Sequence, residues 1–142
     1  MTLEKYRILH STLMEQYQWI EFDLEGLYAI LSPEPFHEAL QEIERDSIGG
    51  VVREIRRIEK QQNIAVFSEA EYEQMDQIRE RRNFWSHKCY IEAYDPSTGA
   101  PKNADLLVTD LQEAEGVLKW LRQIKDRFLD KNRDRIIKSL FS

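Results

Sequence analysis

Residues 75–89 read Met-Asp-Gln-Ile-Arg-Glu-Arg-Arg-Asn-Phe-Trp-Ser-His-Lys-Cys. From Met75 the positions three and four apart are Ile78, Arg82, Trp85 and Cys89, the spacing of one helix face turned toward a core or an interface. Four of these five seats suit burial, and the fifth is an arginine. A guanidinium at such a seat costs several kcal/mol, roughly, unless it is paired or reaches water. Arg82 therefore requires a partner. A second stripe, Asn83, His87 and Tyr90, follows i, i+4 and i+7 and places Asn83 within reach of the imidazole. Arg82 and His87 lie roughly 140° apart around a straight helix. They converge on one ligand only if the helix bends, the arginine reaches round, or a second subunit supplies the other half.

The same periodicity extends outward in both directions and specifies an all-α protein. Leu9, Leu13, Tyr17, Ile20, Leu24, Leu27 and Leu31 mark a first helix over about residues 3–31. Ser32-Pro33-Glu34-Pro35 stops it and supplies a serine N-cap and a first-turn proline for a second helix over about 34–61. Gly49-Gly50 within that span marks a kink or the close approach of a neighbouring backbone. Ser68-Glu69-Ala70-Glu71 is a capping box opening a third helix that runs to about Ala93. A loop from Tyr94 to about Asp105 contains the turn Asp95-Pro96-Ser97-Thr98-Gly99. Thr109-Asp110-Leu111-Gln112 reads as a second capping box, opening a helix that carries Ala114, Val117, Leu118, Leu121, Ile124 and Phe128, with a break near Asn132. The expected architecture is a single domain over residues 1–142, an up-and-down bundle of four to five helices with long antiparallel neighbours.

Composition agrees with this class and limits the chemistry. A hydrophobic content of 42% with only 5 Gly and 4 Pro in 142 residues supports one packed core without staples. The single Cys89 precludes an internal disulfide and argues against a thiolate metal site. No apolar run approaches the length of a membrane span, and Met-Thr-Leu-Glu-Lys does not resemble a secretory leader. No metal, cofactor or membrane partner is expected, and the cytoplasm is the default compartment. The net charge of −6 is concentrated in residues 1–48, which hold 3 Lys/Arg against 10 Asp/Glu. That balance does not favour general nucleic-acid binding, which rewards clustered cations. Local clusters nevertheless occur. Arg53, Arg56, Arg57 and Lys60 share one helix face, read as a solvated face paired with Glu54 and Glu59, and Arg79, Arg81, Arg82 and Lys88 surround the central motif.

Arg82-Asn83-x-x-x-His87, toward the end of the third helix of such a bundle, resembles the motif of the HEPN superfamily (higher eukaryotes and prokaryotes nucleotide-binding). The resemblance covers most of the chain in architecture and about six residues in sequence. It implies a metal-independent endoribonuclease acting as a homodimer on RNA, of the kind found among toxins and antiviral defence effectors, with an antitoxin or another regulatory protein as partner. Arg82 and His87 would be catalytic, Asn83 would orient the imidazole, and Ser86, Lys88 and Tyr90 would contact the ligand. Glu21 or Asp23 of the first helix would join the site. In one toxin branch a tyrosine follows the histidine by two residues; Cys89 stands there in this chain, with Tyr90 one position later.

The chemistry asked of these residues is self-consistent. Cleaving RNA without a metal needs a proton acceptor for the 2′-hydroxyl, a cation for the phosphoryl oxygens and a donor to the leaving 5′-oxygen. Imidazole titrates close to neutrality, and guanidinium offers a fork matched to two phosphate oxygens. Other readings stand beside this one. Arg82 could pair with Glu71, Glu80 or a carboxylate of the first helix, and His87 could cap a carbonyl. The domain could be a HEPN-like module that binds a nucleotide, RNA or protein without cleavage, or a plain helical dimerisation protein.

Overall fold

The computed structural model describes residues 1–87, 89, 95, 97, 99 and 101–141, and it is an all-α bundle. Helix α1 spans Leu3–Leu31. Thr2 caps it by accepting the Lys5 amide (3.1 Å). Its buried seats Leu13, Tyr17, Ile20, Leu24, Leu27 and Leu31 follow the predicted spacing. At its far end Arg135 donates to the carbonyls of Ser32 (2.8 Å) and Ile30, satisfying acceptors that a helix terminus leaves open.

Two of the expected boundaries are corrected here. Ser32 does not cap a second helix. It is the buried C-cap of α1, and its hydroxyl accepts the Glu34 amide (3.2 Å) while Pro33 and Pro35 hold the chain extended. The span 34–61 is two helices, α2 (Phe36–Ile43) and α3 (Ile48–Gln62). The break falls ahead of the glycine pair because the Ser47 hydroxyl accepts the Gly50 amide (3.2 Å), making Ser47 an N-cap. Gly49 and Gly50 consequently occupy a first turn. Helix α3 ends on Asn63, whose φ of 53° is the left-handed conformation that asparagine tolerates.

Helix α4 (Glu69–His87) opens on the expected capping box, with Ser68 and Glu71 exchanging side-chain to backbone bonds at 2.8 and 3.1 Å. Glu59 ties this entry to α3: it accepts the amides of Val66 (2.8 Å) and Phe67 (3.4 Å) and the hydroxyl of Tyr72. Past His87, the expected continuation to Ala93 lies largely outside the described residues. In the connection that follows, Ser97 donates to the Asp95 carboxylate and Gly99, at φ 69°, donates to the Asp95 carbonyl (2.7 Å), a turn where that sequence predicts one.

The last helix, α5, runs unbroken over Ala104–Leu140, and this corrects two further expectations. Thr109 is interior, and its hydroxyl donates to the Asp105 carbonyl one turn earlier (2.9 Å) instead of capping. Asn132 likewise satisfies itself within the helix, on the Phe128 carbonyl (2.8 Å), so the apolar stripe passes through without a break.

Cross-helix contacts give the directions. Tyr6 meets Asn103, Asp23 meets Arg122 and Ser32 meets Arg135, so both numbers rise together and α1 and α5 are parallel. His10 meets Trp85 and Glu21 meets Arg82, so α4 is antiparallel to α1. Neighbours in sequence still alternate in direction, but the longest contact joins the first and last helices in parallel. Helix α1 touches each of the other four described helices and is the centre of the described bundle. No helix among the described residues is long and apolar enough to cross a membrane.

Replacing Glu59 by alanine removes an acceptor shared by two amides and a tyrosine hydroxyl, and should cost about 2 kcal/mol. Urea unfolding would register this as a lower midpoint with an unchanged slope.

Candidate functional site

The rotation of α4 is fixed by Trp85. Its ring is fully buried, and its indole N–H donates to the Asp110 carboxylate of α5 at 2.7 Å. Arg81 approaches the other oxygen of the same carboxylate at 3.7 Å. On the α1 side, His10 Nε2 lies 2.8 Å from the Trp85 carbonyl. Because a carbonyl only accepts, that nitrogen carries the proton. The Cys89 thiol sits beside both, 3.1 Å from the carbonyl and 3.4 Å from the imidazole. Met75, Ile78, Trp85 and Cys89 are all buried.

With these seats inward, Arg82 emerges at the margin of the α1–α4 interface and pairs with Glu21. Its side chain is 36% exposed. Of the two carboxylates expected near the site, only Glu21 reaches it. Asp23 is buried on the opposite flank of α1, bound by Arg122 (3.0 Å) and Lys125 (2.9 Å) of α5. The partners Glu71 and Glu80 considered for Arg82 are engaged elsewhere, Glu71 in the capping box and Glu80 near Arg79 at 3.9 Å. Around Glu21 the surface is acidic. Burial pushes the Glu25 carboxyl above its ordinary range, with Glu21 and Glu44 adding repulsion. Arg82 neutralises one member of this group.

Asn83, Ser86 and His87 are exposed on the following turns. Among the described residues no hydrogen bond joins Asn83 to His87 and none joins Arg82 to His87; the side-chain partner of Arg82 is Glu21. Lys88 and Tyr90 lie outside the described residues.

Two contributors were not identified from sequence, His10 and Asp110. A signal for Asp110 existed. Leu107, Asp110, Ala114, Val117 and Leu121 repeat the three-four spacing with one charged seat, the same anomaly that singled out Arg82. Behind Asp110, the Tyr17 hydroxyl and one oxygen of Glu113 are buried with no hydrogen-bond partner among the described residues. Burial, followed by the Asp110 charge, raises the Glu113 carboxyl above its ordinary value.

Asp110→Ala should cost about 2 kcal/mol, because it strands the buried indole N–H of Trp85. Asp110→Asn retains an acceptor and should cost less. For Glu113 the sign follows from its raised value. The folded state holds the proton more tightly than the unfolded chain, so this stabilisation is complete below about pH 4.5 and fades as pH rises through the folded value. Glu113→Gln should therefore stabilise the protein at pH 7, with a gain that shrinks toward pH 4; thermal melts across that range would test both parts.

Comparison of the whole chain with protein-family models, with curated proteins and with solved structures returned no match.

Proposed function

We propose that this chain is a HEPN-type, metal-independent endoribonuclease completed by a second copy of itself. The observation that carries this reading is the presentation of the motif. Trp85 is buried, Arg82 is held at the rim by Glu21, and Asn83, Ser86 and His87 face solvent on the next turns. Arg82 and His87 lie roughly 140° apart around a straight helix, and two copies facing across a twofold axis would supply two of each.

In the proposed reaction one His87 accepts the proton of the 2′-hydroxyl as that oxygen attacks phosphorus. The bond to the 5′-oxygen breaks, and the second His87 returns a proton to the leaving oxygen. The products are a 2′,3′-cyclic phosphate and a 5′-hydroxyl. Arg82 exchanges Glu21 for the phosphate, a swap between two oxyanions that its fork binds in similar ways. An antitoxin or other controlling protein, and a role in toxicity or antiviral defence, belong to the same proposal.

The Arg82–Glu21 pair also favours a second reading, in which Arg82 neutralises an acidic patch and tethers α4 to α1, with the domain acting as a binding or dimerisation module. The two readings diverge in one assay. A half-exposed ion pair contributes about 1 kcal/mol or less, so Arg82→Ala and His87→Ala should remain folded. Incubated with total RNA in excess EDTA, the wild type should leave cyclic-phosphate ends, and each variant should be slower by about 100-fold or more. Absence of cleavage by the wild type, with Arg82→Ala weakening self-association in sedimentation, would establish the second reading.

A further inference from the structure

The glycine pair and the arginine face of α3 are not used by the site above, and the fold brings them together. Between α3 and α4 lies an open cleft of about 640 Å³, within the size range of small-ligand sites. Arg53, Arg56 and Arg79 line it, with Asp76 as its single carboxylate. A concave wall with three guanidiniums is unexpected in a chain of net charge −6. The expectation that this face is paired along α3 holds only for Arg57, which bonds Glu54. Arg56 leans on the outlying Glu69 (3.3 Å) and lies over the Tyr72 ring (4.0 Å). Arg79 rests on Asp76 (3.0 Å), and Arg53 is exposed with no ion pair among the described residues.

Gly49 explains how Arg79 enters. A β-carbon at that position would stand 3.1 Å from Arg79 Cδ, tighter than ordinary packing, so the absence of a side chain lets the arginine cross the first turn of α3. There the amides of Ile48 and Gly49 have no acceptor within the helix. The floor of the cleft is apolar, formed by Val52 and Met75. Cations in a fork geometry above an apolar floor fit a doubly charged oxyanion on an apolar body.

We propose that the α3–α4 cleft binds a small phosphomonoester, with Arg53 and Arg79 on the phosphate and the carrier group against Val52 and Met75. Arg82 does not line this cleft, so the proposal is independent of the nuclease reading. The test titrates the intact protein with inorganic phosphate, phenyl phosphate and 5′-AMP while following amide shifts of Gly49 and Gly50. The organic monoesters should bind saturably and more tightly than inorganic phosphate. Affinity should fall about tenfold or more in Arg53→Ala/Arg79→Ala and stay unchanged in Arg82→Ala. Gly49→Ala, which displaces Arg79 while keeping every charge, should also weaken binding; melting curves would confirm that each variant is folded. A preference of phenyl phosphate over 5′-AMP, or the reverse, identifies the carrier. Equal affinity in the arginine variants, or a response to a short RNA alone, would overturn the proposal.

Discussion

The hydrogen bond from the Trp85 indole to the Asp110 carboxylate, 2.7 Å long and sealed inside the bundle, is the constraint on which the rest of the structure depends. It fixes the rotation of α4 against α5, and a rotation error of one residue, about 100°, would redirect every side chain of the motif. Because Trp85 points inward, Arg82 reaches the rim and His87 reaches water. The bond is itself supported from two sides, by Arg81 on the carboxylate and by His10 on the Trp85 carbonyl. A buried carboxylate that served only packing would be a liability. Here it sets which face of the helix is presented.

Charge is distributed along α4 on the same principle. The inward seats are neutral, the flank toward α1 carries Arg82 matched to Glu21, and the flank toward α3 carries Arg79, which rests on Asp76 of the same helix. Arg82 pairs with Glu21, which itself lies near the carboxyl of Glu25. Arg79, one turn earlier, belongs to a cationic cleft. Two arginines three residues apart thus have opposite surroundings, set by the helix against which each lies.

The parallel pairing of α1 with α5 is the most extensive helix contact of the described bundle. Three charged contacts span it, Asp23 with Arg122 and Lys125 in the middle and Arg135 on the end carbonyls of α1. The chain can place two parallel helices side by side only by returning through α2, α3 and α4, which carries α4 past α1 and brings Arg82 to Glu21.

The sequence by itself determined the helical class, the extent of α1, the capping box of α4 and the inward seats Met75, Ile78, Trp85 and Cys89. These depend on period, on caps and on steric rules that act within a few residues. It also marked Arg82 as a seat needing a partner, with a carboxylate of the first helix among the candidates, and the family resemblance added Glu21 and Asp23 as possible members of the site. What only the tertiary structure decided was the choice between them: Glu21 and Asp23 are two residues apart, so they leave α1 on different sides, and the helix packed on each side determines the pairing. The same holds for Ser47, Thr109 and Asn132. A short polar side chain next to a helix serves equally as cap, break or interior residue bonded to the preceding turn, and the apolar surface available on either side settles which. Asp110 shows this most clearly, because its spacing marked a buried seat while its neighbours imitated a cap, and only the Trp85 ring beside it decides in favour of burial.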